Sequence, residues 1–212
     1  MTEDFRLQTI GTFLDELASS ASTPGGGAAS ALAGAMGAAL VSMVANLTIG
    51  RPKYAAVEED MRRLLATAEA ARVELTTLAA LDARVFDQVM AAYRLPKETE
   101  EQKAQRREAI QTALKEATQV PMRVAEQAVL VLELACEVAE KGNVNVISDA
   151  GAGAVLADAA LETAALNVAI NLALIKDEAF VEETRQRLES YRARRDELKP
   201  RALATVSERM GA

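Results

Sequence analysis

The sequence predicts an all-α fold, an antiparallel helical bundle with two Ala/Gly-rich helices buried inside it, formed as one domain over residues 1–212. Three observations carry that expectation. Apolar residues recur at steps of three and four along most of the chain, and no stretch alternates as a strand would. Hydrophobic residues make up 50% of the sequence but aromatics only 3%, so the core must be built from aliphatic and small side chains. No charged residue occurs between Leu17 and Gly50, so the helix there has no side suited to water.

A first helix is expected from about Glu3 to Ser19, with Phe5, Ile10, Phe13, Leu14 and Leu17 on its apolar side. The run Ser22-Thr23-Pro24-Gly25-Gly26-Gly27 breaks it, and a second helix starts at Gly26 or Gly27 and reaches about Ile49. Its bulky series is Leu32, Met36, Leu40, Met43 and Leu47; its small series is Gly27, Ala31, Gly34, Ala38, Ser42 and Ala45. The small side admits another helix backbone closely, and the bulky side is expected to fill a core. A membrane span is the competing reading. The Ala/Gly content and the polar Ser30, Ser42, Asn46 and Thr48 argue against it.

A third helix is expected from about Ala55 to Arg94, roughly 60 Å long, extending into a partner subunit. It stops at Leu95-Pro96-Lys97. Thr99 and Gln102 have capping-box spacing and open a fourth helix, which Pro121 kinks or splits. Gly142 suits a left-handed C-cap. After a loop from Asn143 to Ile147, Ser148 or Asp149 caps a fifth, mostly uncharged helix to about Leu174. Asp177 caps a last, highly charged helix that Pro200 interrupts near its end.

The composition narrows the chemistry. A net charge of −7 argues against nucleic acid as a partner. There is no histidine, which removes the commonest metal ligand and the usual acid–base group, so no metal is expected. The single cysteine, Cys136, cannot form an internal disulfide and lies among apolar residues, which fits inert packing in a reducing, cytoplasmic setting. The N-terminus does not read as a secretion signal.

Asp82 is the sharpest candidate. It lies four residues after Leu78 and three before Val85, a position the periodicity reserves for the core. A carboxyl group there has its pKa raised by desolvation, which suits a general acid or base; a buried structural ion pair is the plain alternative. The turn Pro24, Gly25, Gly26 and Gly27 leaves backbone N–H groups uncovered at a helix start, a place for an anion. Asn167 and Asn171 lie one turn apart on the fifth helix, where a ligand, a neighbouring helix or a second copy can satisfy them. Arg51, Lys53 and Lys97 are loop cations. Arg51 and Lys53 should sit about 30 Å from the glycine turn, so a joint site needs an antiparallel neighbour or second subunit. Neither the P-loop nor the dinucleotide pattern is present.

These residues resemble a known family. Thr23-Pro24-Gly25-Gly26-Gly27, the Ala/Gly helix closing with Met43-Val44-Ala45-Asn46-Leu47-Thr48-Ile49-Gly50-Arg51, Leu75-Thr76-Thr77-Leu78 with Asp82-Ala83, Arg94-Leu95-Pro96-Lys97-Glu98-Thr99, Ser148-Asp149 and Asn167-Val168-Ala169-Ile170-Asn171-Leu172 occur in order. Together they are similar to the cyclodeaminase domain of formimidoyltransferase-cyclodeaminase, whose family includes stand-alone methenyltetrahydrofolate cyclohydrolases. The resemblance covers nearly the whole chain. It implies an all-α homodimer acting on a tetrahydrofolate one-carbon derivative, without metal or organic cofactor, with Asp82 in the catalytic place. Folate binding would then fall to the glycine turn, Arg51, Lys53, Tyr54, Lys97, Asp149, Asn167 and Asn171, with the cations and turn on the glutamate tail and Tyr54 against a ring. The bifunctional members carry a second aspartate two residues before the catalytic one; here that position is Ala80.

Two reactions fit the resemblance. In cyclohydrolysis, water attacks the methenyl carbon of 5,10-methenyltetrahydrofolate and the ring opens to 10-formyltetrahydrofolate. In cyclodeamination, nitrogen 10 of 5-formiminotetrahydrofolate attacks the formimino carbon and ammonia leaves. Both need proton transfer at nitrogen and stabilisation of a cationic centre, which one carboxylate can supply. No transferase segment is present in these residues, which tilts the expectation toward the cyclohydrolase. A non-catalytic folate-binding module is the third reading, and Ala80 favours it.

Overall fold

The structure is a computed structural model that describes residues 7–211. The part of the first expected helix before residue 7, including Phe5, lies outside the described residues. Six helices follow in order: α1 (Ile10–Leu17), α2 (Gly26–Asn46), α3 (Glu58–Tyr93), α4 (Glu100–Lys141), α5 (Ile147–Leu172) and α6 (Glu178–Met210). Short 3₁₀ turns at Pro52–Val57 and Val144–Val146 lead into α3 and α5. No strand occurs among the described residues.

The bundle is arranged around α2. It packs against α3 on one side and α5 on the other, while α4 covers α3 and α5 and receives α6. Alanine and glycine make these crossings close. A Cβ placed on Gly37 would lie 2.9 Å from the Gly153 carbonyl oxygen, and one on Gly34 would lie 3.2 Å from the Leu75 side chain. Hydroxyls fix the α2–α5 register: Ser30 Oγ donates to the Ala160 carbonyl at 2.8 Å and accepts from Thr163 Oγ1 at 2.9 Å. α6 is tied to α5 by Arg195 and Lys199, which both reach Asp158, at 2.8 and 2.5 Å.

Several local expectations are corrected. The small side of α2 is buried, whereas Met36, Met43 and Leu47 on its bulky side are exposed. The space between α3 and α5 accepts only small side chains, so the large ones are turned out. Ile10 and Leu14 of α1 are likewise exposed, although Phe13 packs against the core. The first turn of the expected third helix is 3₁₀, and the α-helix starts at Glu58. Pro121 and Pro200 neither split nor end α4 and α6, which run through both residues. Gly142 closes α4 in an extended conformation, φ −72° and ψ 175°, because the chain continues straight into the next 3₁₀ turn. Helix α5 starts at Ile147, so Asp149 lies in its first turn and does not cap it. The Thr99–Gln102 capping box and the Asp177 cap are formed as the spacing indicates.

The α2–α5 contact at Gly37 gives a test. Gly37→Ala forces the two backbones apart and is expected to cost about 1–3 kcal/mol of stability. Urea denaturation reads this as a lowered midpoint; an unchanged midpoint would show that the crossing has slack.

Candidate active site

Asp82 stands on α3 opposite the first turn of α2. The contact is so close that a Cβ on Gly27 would fall on the Asp82 carboxyl group. Glycine is needed at residue 27 for this approach, not for an unusual φ. The Ala28 backbone N–H, a free donor of the α2 N-terminus, bonds the carboxyl. Burial pushes the Asp82 carboxyl above its ordinary pKa, and the Ala28 bond opposes that shift without cancelling it.

Asp82 opens into a cavity of about 330 Å³. The glycine turn contributes Gly25, Gly26 and Gly27, preceded by Ser22 and Thr23; Pro24 is buried behind them and does not line the space. From α3 come Asp82, Val85, Phe86, Val89, Met90 and Tyr93, a single helical stripe at steps of three and four. Leu114, Ala117 and Pro121 of α4 close the side. Pro121 has no N–H to donate to the Ala117 carbonyl, yet α4 stays helical through it and presents both residues to the cavity.

Asn167, Ile170 and Asn171 at the end of α5, with Leu174 beyond it, complete the lining. Asn167 Nδ2 donates to the Thr163 carbonyl of its own helix at 2.8 Å, which leaves its oxygen for the cavity. The Asn171 amide has no hydrogen bond to another described residue. The two amides therefore do not bridge helices; both face the space beside Asp82.

The other candidates are not brought here within one chain. Arg51, Lys53 and Tyr54 follow the far end of α2, roughly 30 Å away. There Lys53 sits over the Tyr54 ring at 5.5 Å, and the Tyr54 hydroxyl accepts from the Val144 N–H at 3.0 Å. Tyr54 thus braces the loop between α4 and α5. Asp149, in the first turn of α5, is at that same far end, about 27 Å along the helix from Asn167. Lys97 is exposed in the loop after α3, on the cavity's end of the bundle but outside its lining. The sequence reading missed Ser22, Thr23, Phe86, Met90 and Tyr93. Extending the Asp82–Val85–Val89 stripe by its own period would have found the last three.

The model of the family described as formiminotransferase-cyclodeaminase matches residues 9–190. The chain belongs to this family. Among relatives, a methenyltetrahydrofolate cyclohydrolase of Methylorubrum extorquens is 52% identical over 203 residues, 96% of this chain and 98% of that protein. A formimidoyltransferase-cyclodeaminase of Sus scrofa is 38% identical over 179 residues, 84% of this chain but only 33% of that longer protein. The crystal structure of a formiminotetrahydrofolate cyclodeaminase from Thermotoga maritima superposes with a TM-score of 0.87 at 34% identity, covering 96% of this chain and 98% of the other. The cyclodeaminase-family fold is therefore shared across nearly the whole chain.

The Asp82 environment makes a prediction about stability. A carboxyl raised above its ordinary value stabilises the fold fully below its unfolded-state pKa, about 3.9, and that contribution is lost as pH rises through the folded value. Asp82→Asn removes the loss and keeps an oxygen for the Ala28 N–H. The variant should therefore unfold at higher urea than the wild type at about pH 8, with the gap shrinking as pH falls and closing near the unfolded-state value of about 3.9. A variant less stable at every pH would show that Asp82 is stabilised as a charge.

Proposed function

We propose that the chain is a methenyltetrahydrofolate cyclohydrolase, which interconverts 5,10-methenyltetrahydrofolate and 10-formyltetrahydrofolate. What supports this is the placement of Asp82 beside the glycine turn in a cavity, together with 52% identity to a cyclohydrolase over nearly the whole length of both chains. Asp82 takes a proton from the water that adds to the methenyl carbon. It returns that proton to nitrogen 5 as the carbon–nitrogen bond breaks, and the remaining hydroxyl proton leaves to solvent as the formyl group forms. Before water adds, its negative charge lies beside the cationic carbon; between the two transfers the carboxyl and the carbinolamine are both neutral. Asn167 and Asn171 hold the polar ring edge. The scheme draws on no metal or organic cofactor. Cyclodeamination is the second reading, favoured by the likeness to the Thermotoga maritima cyclodeaminase. It uses the same carboxyl to protonate departing ammonia.

The enzyme works in the cytoplasm as a homodimer, with neither membrane nor nucleic acid as partner. Helices α2 and α5 are long and apolar enough to cross a bilayer by length and composition, yet each is packed into the bundle along one side. Their other sides form one uncharged surface. Met36, Met43 and Leu47 of α2 and Val155, Leu166 and Ile170 of α5 are exposed on it, with a groove of small residues between the helices. A second copy with the same stripe fits this surface by close helix packing.

Two measurements check these statements. Loss of methenyltetrahydrofolate absorbance should be rapid with wild type and slower by about 10²–10⁴-fold with Asp82→Asn. Unaffected turnover removes Asp82 from the mechanism; ammonia release from formiminotetrahydrofolate with no hydrolysis selects the deaminase; binding of a folate analogue without either turnover selects a binding module. Light scattering should give twice the chain mass of 22.6 kDa. Leu166→Glu, which buries charge at the pairing face, should shift the protein to monomer, and a wild-type monomer overturns the dimer.

A further inference from the structure

The cavity is graded along α3. Its inner end is polar, at Asp82 and the two α5 amides. Its middle is apolar, at Val85, Phe86 and Val89. Its outer end is Tyr93, three helical turns or roughly 16 Å from Asp82. A tetrahydrofolate has the same order of parts: a polar ring system with its one-carbon unit, an aromatic aminobenzoyl group, then an anionic glutamate. No basic residue lines the space, so the anion must be met where the cavity ends.

Arg106 stands at that point. Its guanidinium lies 5.7 Å from the centre of the Tyr93 ring. Its Nε and Nη2 both donate to the Tyr93 carbonyl, at 3.2 and 2.9 Å. That contact holds the group against the end of α3 through a neutral acceptor, so its charge is not spent on a carboxylate. Residues three and four away on α4 are Gln102, Lys103, Ala109 and Ile110, none of them acidic, and Arg106 has no ion pair among the described residues. By contrast Arg194, Arg195 and Arg201 on α6 are all paired. One Nη1 hydrogen and the second Nη2 hydrogen leave an end-on planar fork suited to a carboxylate.

We infer that Arg106 binds the glutamate tail of the substrate, with Phe86 in the apolar middle flanking the aminobenzoyl ring and Tyr93 holding Arg106 at the outer end; the inference rests on the folate reading and adds the residue that selects for the tail. Arg106 is a specificity residue and takes no part in the proton transfers.

The test compares 5,10-methenyltetrahydrofolate with the primary amide of 5,10-methenyltetrahydropteroate, which has the rings, the reacting carbon and a neutral benzoyl amide but no glutamate carboxylates. Wild type should show a KM about ten-fold lower for the glutamylated compound. Arg106→Gln should abolish that preference, raising KM for the glutamylated compound alone and leaving kcat for both unchanged; Arg106→Lys should restore part of it. An equal rise in both KM values would mean that Arg106 only braces the end of α3, and a retained preference in Arg106→Gln would place the tail elsewhere; either result overturns the assignment. Wild type that neither binds nor turns over either compound brings down the folate reading itself, and this assignment with it.

Discussion

The bundle depends on a carboxyl group occupying the volume where residue 27 would otherwise carry a side chain. Asp82 reaches α2 so closely that only glycine fits opposite it, and the Ala28 N–H then donates a hydrogen bond to its carboxyl. The contact fixes the height of α2 against α3. Gly34 meets Leu75 two turns on, and Gly37 meets Gly153 of α5 one turn further. A helix confined in this way on two sides must be small along both of them. The lack of charge along those two sides follows from the same confinement, because an ionised side chain in the crossings would lie unpaired among alanines. The small residues along the crossings and the buried carboxyl thus belong to a single close approach.

That approach also sets the electrostatics. The start of α2 offers free N–H groups and the positive end of its dipole, which favour an ionised Asp82. The surrounding Val85, Phe86, Val89 and Leu114 remove water and disfavour ionisation. Desolvation is the larger influence. The result is a carboxyl that holds its proton more tightly than a surface aspartate does, because its charged form is poorly solvated. The α5 amides Asn167 and Asn171 add dipoles to the same space.

Sequence reasoning reached the helices, the glycine turn and Asp82, because each leaves a mark in local periodicity or turn chemistry. It misread what depends on neighbours. The bulky series of α2 resembles a core stripe, but partner spacing decides which side is inside, and the narrow crossings at Gly34 and Gly37 put the small side there. Pro121 and Pro200 read as breaks because propensity sees only the missing donor, while packing holds α4 and α6 continuous. Arg51 and Lys53 were attractive as loop cations, and the length of α2 carries them away from the turn. Arg106 was hidden in the acidic and basic run from Glu98 to Glu108, which has the composition of a solvated face. Only the fold shows that this face passes the end of the Asp82 stripe, where Tyr93 holds it.

Ala80 bears on whether one carboxylate suffices. Residues two apart on a helix point about 200° apart, so a side chain at position 80 is directed away from the face that carries Asp82, Val85 and Phe86. Ala80 accordingly does not line the cavity. An aspartate there would not stand beside Asp82 over a shared substrate; it would act from outside the cavity wall or toward a different chain. The small residue at position 80 therefore leaves the cavity of this protein intact, and the feature that most favoured a non-catalytic binding module removes nothing from the site. What the proposed chemistry needs is one desolvated carboxyl, a donor to hold it and polar groups to orient a ring, and Asp82, Ala28, Asn167 and Asn171 are already together in one chain.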